Sequence, residues 1–190
     1  NPSNPEKPLI CTRGCMGAIY IIRNPFDVSI SLANHFSCTY DKAIKFLINN
    51  SSSLCGSLKS CKTQVRQYLG SWDYHVRTWN KQQIIPLLVL RYEDLINEPI
   101  KEFTKLAMFL NLTKDQDLIE NSIENCKFEK LQFLENKTES GFEERPSNCK
   151  TFFKYGCFGT GKKKLSNVQR SLIKDKFIST LNEFDYLNFI

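Results

Sequence analysis

No apolar run in these 190 residues approaches the roughly 20 that a bilayer-spanning helix needs, so no membrane partner is expected. Residues 1–10 hold none of the charged, apolar and cleavage regions of a secretory leader, which points to a cytoplasmic protein. The chain also lacks an initiator methionine; it opens at Asn1, as a fragment of a longer protein would. Dense basic runs are scarce. Lys162-Lys163-Lys164 is the one example, without the interleaved aromatics of an RNA binder, so no nucleic-acid partner is expected. Metal-site spacing is absent as well: Cys11-x-x-x-Cys15 has no second Cys or His pair at zinc-finger distance, and no metal is expected. The eight cysteines fall at irregular intervals in a chain long enough to build a core without staples, which favours free thiols in a reducing compartment. The N-x-S/T triplets headed by Asn49, Asn50, Asn111 and Asn136 are expected by chance in so asparagine-rich a sequence.

What is present suits one globular domain, with 41% hydrophobic and 24% charged residues. The net charge of +6 favours anionic partners such as nucleotides, although a mildly basic surface with no partner gives the same count. Residues 1–15, with three prolines, read as an irregular lead-in. Ala18 to Ile22 is a short continuous apolar run, which predicts a strand buried on both faces. Pro25 and Asp27 then open a helix to about Phe36, and a second is predicted from Asp41 to Ile48. The serine-rich stretch 49–62 reads as a loop. Val65, Leu69, Trp72, Val76 and Trp79 form one stripe and predict a helix from Gln64 to Trp79.

"PLLVLRY" (86–92) predicts a second buried strand, passing at Tyr92–Asp94 into a capped turn. Beyond it, helices are predicted at Pro99 to Leu110 (Phe103, Leu106, Ala107 and Leu110 inward), Asp115 to Asn125 and Glu129 to Leu134. A long loop covers 136–164, and Ser166 caps a last helix through about Phe184. Strand, helices, strand, helices is an α/β order with a parallel sheet, but two strands are too thin a sheet to stand alone.

Arg23 sits where the first strand ends. Ligands of open α/β sheets collect at that end, where a helix N-terminus also points. A guanidinium there matches phosphate oxygens, and Ser31, two helical turns further on, can offer a hydroxyl on the same face. The alternative is an arginine paired with a nearby carboxylate and a serine facing solvent.

"YIIRNPFDVSIS" (20–31) resembles the second nucleotide-binding signature of the sulfotransferase family, which uses 3′-phosphoadenosine-5′-phosphosulfate (PAPS) as co-substrate. "LGSWDYHVRTWN" (69–80), "PLLVLRYEDLINEP" (86–99) and "FTKLAMFLNL" (103–112) follow in the family's order, and "FFKYGCFGTGKKKLS" (152–166) is similar to its late Arg-Lys-Gly segment. "HFSCTYDKAIKFL" (35–47) and "GFEERP" (141–146) resemble the bacterial branch. The resemblance implies one sulfotransferase-like domain over 1–190, incomplete, with a P-loop-type parallel sheet flanked by helices whose N-terminal strands are missing.

The function so implied is transfer of a sulfuryl group from PAPS to a hydroxyl or amine of a small-molecule or carbohydrate acceptor. By position, Arg23 and Ser31 would bind the 3′-phosphate. Lys154, Tyr155 and Gly156 stand where the family has Arg-Lys-Gly, so Lys154 keeps a charge without the fork and Tyr155 loses one. Phe128 matches an aromatic that stacks on adenine, and it would equally serve as a core residue of an amphipathic helix. The family's other adenine-contacting aromatic falls at Asp73, beside Tyr74. Its Lys-Ser/Thr-Gly-Thr loop for the 5′-phosphosulfate occurs nowhere in the sequence, and its catalytic histidine would fall at or before Asn1. His35 and His75 stand elsewhere, so the catalytic group is unassigned and this chain is expected to bind rather than turn over. Two other classes remain: a non-catalytic nucleotide-binding or interaction domain of the same fold, and a P-loop nucleotide phosphohydrolase. The last rests on "GCFGTGKK" (156–163), which puts Lys163 where G-x-x-x-x-G-K-[ST] requires a hydroxyl, with no strand before it and no helix until Ser166.

Overall fold

The computed structural model describes residues 14–55, 66–112, 114–136 and 151–189. Cys11, Val65, residues 56–62 of the serine-rich connection and "GFEERP" lie outside the described residues. The chain runs β1 (Ala18–Ile22), α1 (Pro25–His35), α2 (Tyr40–Ile48), β2 (Ser53–Leu54), β3 (Gln67–Tyr68), α3 (Trp72–Asn80) and β4 (Leu87–Arg91). It continues as α4 (Tyr92–Asn97), α5 (Pro99–Phe109), α6 (Gln116–Asn125), α7 (Phe128–Asn136), α8 (Thr160–Lys164) and α9 (Asn167–Glu183), then a 3-10 turn, Tyr186–Phe189. This is the expected mixed α/β architecture. β1 and β4 pair in parallel, from Ala18 opposite Leu87 to Ile22 opposite Arg91. β2 and β3 form a separate antiparallel pair.

Helix starts follow local chemistry. Asn24, Thr39, Ser71 and Asp115 each accept a first-turn N–H of α1, α2, α3 and α6, and Ser166 with Gln169 makes a reciprocal capping box on α9. Each such cap is worth about 1 kcal/mol. The helix expected over Gln64–Trp79 is shorter than its apolar stripe. Residues 67–68 are a strand, Gly70 takes φ +70°, and the helix begins only after the Ser71 cap. The Tyr74 ring fills the space where a Cβ on residue 70 would sit, 2.6 Å away, so glycine is required there twice over.

The core lies on one face of the parallel pair. Ile22, Phe26, Trp72, Phe177 and Tyr186 are buried together, with Trp72 5.2 Å from Phe177 between ring centroids. Tyr20 joins their edge, stacked on Trp79 at 5.8 Å. The opposite face of β1 departs from expectation: Ile19 is 40% and Ile21 55% exposed, so this strand is not buried on both sides. The reason is coverage. α5 lies against β4 and brings the Phe109 ring onto Gly17, but nothing described covers Ile19 and Ile21. Leu110 likewise ends α5 exposed rather than inward, whereas Ala107 is buried. No helix among the described residues is long and apolar enough to cross a membrane.

Candidate functional site

The β1–α1 junction is fixed by residues that cannot reach water. Asn24 is fully buried; its carboxamide oxygen caps Asp27 N at 2.9 Å, and its amide nitrogen donates to Glu93 Oε1 at 2.7 Å and Asp27 Oδ2 at 3.0 Å. Asn24 N donates to the same Glu93 oxygen at 3.0 Å, and Trp72 Nε1 donates to Arg23 O at 3.2 Å. The Tyr92–Glu93–Asp94 stretch, expected as a capped turn, thus opens α4 with no side-chain cap, and its buried Glu93 serves the neighbouring strand end instead. With its backbone so held, the Arg23 side chain reaches the surface with 20% exposure. Its guanidinium lies 4.2 Å over the Tyr92 ring, Nη2 donates to Cys157 O at 3.0 Å, and Asp27 is 3.7 Å away. Both readings of Arg23 therefore contain something: a carboxylate is near, beyond hydrogen-bond length, and most of the guanidinium's donors remain uncommitted.

A second segment faces it. Two buried carboxylates each seize a pair of its backbone amides. Glu135 of α7 accepts from Phe152 N (2.6 Å) and Phe153 N (2.9 Å); Asp27 of α1 accepts from Gly159 N (2.8 Å) and Gly161 N (2.6 Å). Asn34 and Gln132 add bonds to Thr151 O and Phe153 O. The glycine-rich stretch 156–163 thus spends two of its amides, Gly159 N and Gly161 N, on the Asp27 carboxylate, against the phosphate-cradle reading. The loop expected over 136–164 also contains the five-residue α8, which starts at Thr160 after Gly159 at φ +80°.

Between these walls lies a cleft of about 850 Å³, and Arg23, Ser31, Phe128, Lys154, Tyr155 and Gly156 all line it. Residues 133 positions apart in sequence meet there. Phe128 does both things expected of it: it lines the cleft, and it packs on Gly156 so closely that a Cβ there would fall 2.2 Å from the ring. Asp73 pairs instead with Arg77 and Ser71, and neither it nor Tyr74 lines the cleft, so the second aromatic contact is not made by this pair. His35 lines the cleft, whereas His75 is bonded through Nδ1 to Tyr20 Oη at 2.9 Å, away from it. Burial lowers the His75 pKa and pushes the Tyr20 phenol well above its ordinary value. The described residues contain no group of three or more His, Cys, Asp or Glu able to hold a metal. Asp27 and Glu135 are what sequence reading missed. Asp27 carried only the signal of an acidic first turn, and Glu135 none.

A family model described as the sulfotransferase domain matches residues 16–185. Sulfotransferase 1B1 of Mus musculus is 32% identical over 121 residues, 60% of this chain and 36% of the relative. Cytosolic sulfotransferase 7 of Arabidopsis thaliana is 28% identical over 164 residues, 82% of this chain and 48% of the relative. The chain thus spans about a third to a half of these relatives. The crystal structure of mouse sulfotransferase SULT7A1 complexed with PAP superposes with a TM-score of 0.63 at 18% identity, covering 86% of this chain and 58% of that one. That likeness is one of fold.

Proposed function

The chain belongs to the sulfotransferase domain family, and from that membership we propose that its cleft binds the 3′-phosphate and adenine end of PAPS in a sulfotransferase. The observation that carries the reading is the convergence of Arg23, Ser31 and Lys154 on one cleft that also presents Phe128. The residues suit the group. Among the described residues Arg23 has one hydrogen bond, from Nη2 to Cys157 O, so a phosphate would find an arginine already positioned with donors to spare. Gly156 lets backbone and Phe128 ring close on one another, and the ring also meets Phe153 edge-on, with centroids 6.1 Å apart.

In this reading Arg23 and the Ser31 hydroxyl hold the 3′-phosphate from the α1 side, and Lys154 adds a point charge from the other. Phe128 orients adenine by stacking, and Tyr92 keeps the guanidinium plane fixed beneath the phosphate. PAPS supplies the sulfuryl group, which passes to a hydroxyl or amine of a small-molecule or carbohydrate acceptor. We take residues 1–190 as one domain of this kind and the protein as cytoplasmic, in keeping with the cytosolic relative.

Calorimetry with adenosine 3′,5′-bisphosphate tests the site. Arg23→Ala should weaken binding by about 1.5–3 kcal/mol, the worth of a charge-assisted hydrogen bond. Binding should need the 3′-phosphate and ignore magnesium. Equal affinity of parent and Arg23→Ala, or a preference for magnesium–ATP, would sink the assignment. Assay of sulfuryl transfer to phenols, sugars and amines separates an enzyme from a non-catalytic nucleotide-binding domain of the same fold.

A further inference from the structure

Three consecutive residues at the end of β1 each make a backbone hydrogen bond to a side chain distant in sequence. Tyr186 Oη donates to Ile22 O at 3.2 Å, Trp72 Nε1 donates to Arg23 O at 3.2 Å, and Asn24 N donates to Glu93 Oε1 at 3.0 Å. The first of these comes from the 3-10 turn that follows α9. Tyr186 is fully buried, and its ring packs on that of Trp72 with centroids 6.3 Å apart. Arg91, the residue opposite Ile22 in the strand pairing, lies 5.0 Å over the same ring. The C-terminal turn thus ties together the ends of both parallel strands, one residue before Arg23. We propose that Tyr186 is a positioning residue for nucleotide binding, fixing the Ile22 carbonyl so that Arg23 leaves the strand end already aimed into the cleft.

The inference rests on the 3′-phosphate reading of the cleft and adds to it a residue outside the lining. An arginine held in its bound geometry before the ligand arrives loses less conformational freedom on binding. The guanidinium of Arg23 is already settled on Tyr92 and Cys157 O, so the remaining play lies in the backbone from which it springs. That backbone sits where the strand pairing stops, and a buried carbonyl there needs a donor from elsewhere. Burial, with the Glu93 carboxylate adding to it, pushes the Tyr186 phenol well above its ordinary pKa, so the donor keeps its proton at any working pH. A core tyrosine merely satisfying its hydroxyl would show the same 3.2 Å contact, but its removal would act without regard to Arg23.

A double-mutant cycle on the full chain, read by calorimetry with adenosine 3′,5′-bisphosphate, decides between them. Tyr186→Phe keeps the ring and should weaken binding about fivefold in the parent. In the Arg23→Ala background the same change should cost nothing further. Thermal melts check that each variant keeps the fold. Should Tyr186→Phe fail that check, Trp72→Phe, which removes the donor to the next carbonyl, supplies a second cycle with the same expected outcome. Parent-like affinity in the folded variant overturns the proposal, and so does an equal loss with and without the arginine. If parent and Arg23→Ala bind the bisphosphate alike, the 3′-phosphate reading itself has failed, and this inference falls with it.

Discussion

The two walls of the cleft are held and equipped differently. Both buried carboxylates capture amides of the second wall, Asp27 reaching across from α1 to Gly159 and Gly161, Glu135 from α7 to Phe152 and Phe153. On the first wall the functional side chain is fixed: Arg23 is stacked on Tyr92 and tied to Cys157, while its neighbour Asn24 is sealed in the core. On the second wall only the backbone is fixed, and Lys154 and Lys164 remain exposed around Tyr155. Position on that wall is thus set by Glu135 and Asp27 and not by the side chains of Lys154 and Tyr155. This explains how Lys-Tyr can stand for Arg-Lys without disturbing the fold, and why the identity of the cation is where this chain is free to differ.

Removing each carboxylate measures the comparison, and it carries the largest expected effect. Asp27→Ala takes a partner from three donors, Gly159 N, the buried Gly161 N and Asn24 Nδ2 (which keeps Glu93), and should cost about 3–5 kcal/mol of unfolding free energy in urea titrations. Glu135→Ala orphans two amides nearer the surface and should cost about 2–3 kcal/mol. Its effect on ligand affinity should fall on the contribution of residues 154–156 and leave that of Arg23 in place. The reverse order of stability losses would mean that Asp27 is not the stronger of the two anchors.

A smaller effect sharpens the same point within α8. Gly161 packs so tightly on α1 that a Cβ would lie 2.5 Å from the Phe26 carbonyl carbon, a backbone atom that cannot step aside. Alanine's better helix propensity, at most about 1 kcal/mol, is then outweighed, and Gly161→Ala should lose about 1–3 kcal/mol overall. Gly159 meets open space but takes φ +80°, so Gly159→Ala should lose about 1 kcal/mol through backbone strain alone. Thermal melts showing Gly161→Ala at or above the parent would deny the close α1–α8 contact.

These cases also show what was legible in the sequence. Ala18–Ile22, Pro25 and Ser166 announce their elements because the cause is local: β-branched residues, a proline at the first helical turn, a capping hydroxyl. The six cleft residues were reachable through an ordered set of motifs. Gln64–Trp79 misled because an apolar stripe is blind to a single residue at φ +70°, and Gly70 decides where α3 starts. Ile19 and Ile21 misled because the apolarity of a strand says what it can bury and not what comes to cover it. Asp27 and Glu135 were invisible for a different reason. Their partners are backbone amides distant in sequence, and an amide carries no residue signature.

The smallest expected effect lies away from both walls, at the Tyr20–His75 pair between β1 and α3. Tyr20 keeps its proton far above neutrality and so must donate to a neutral Nδ1 across 2.9 Å. Burial holds the folded-state His75 pKa below the ordinary 6.5, so the unfolded chain takes up a proton that the folded chain resists. Stability contributed by the neutral pair is therefore present above about pH 6.5 and is lost as the pH falls from there through the lower folded-state value. His75→Gln, which can still accept from Tyr20 but cannot be protonated, should flatten the fall in Tm between pH 7 and 5 relative to the parent. An unchanged slope in that variant would assign the acid sensitivity to other groups and leave Tyr20–His75 as a packing contact only.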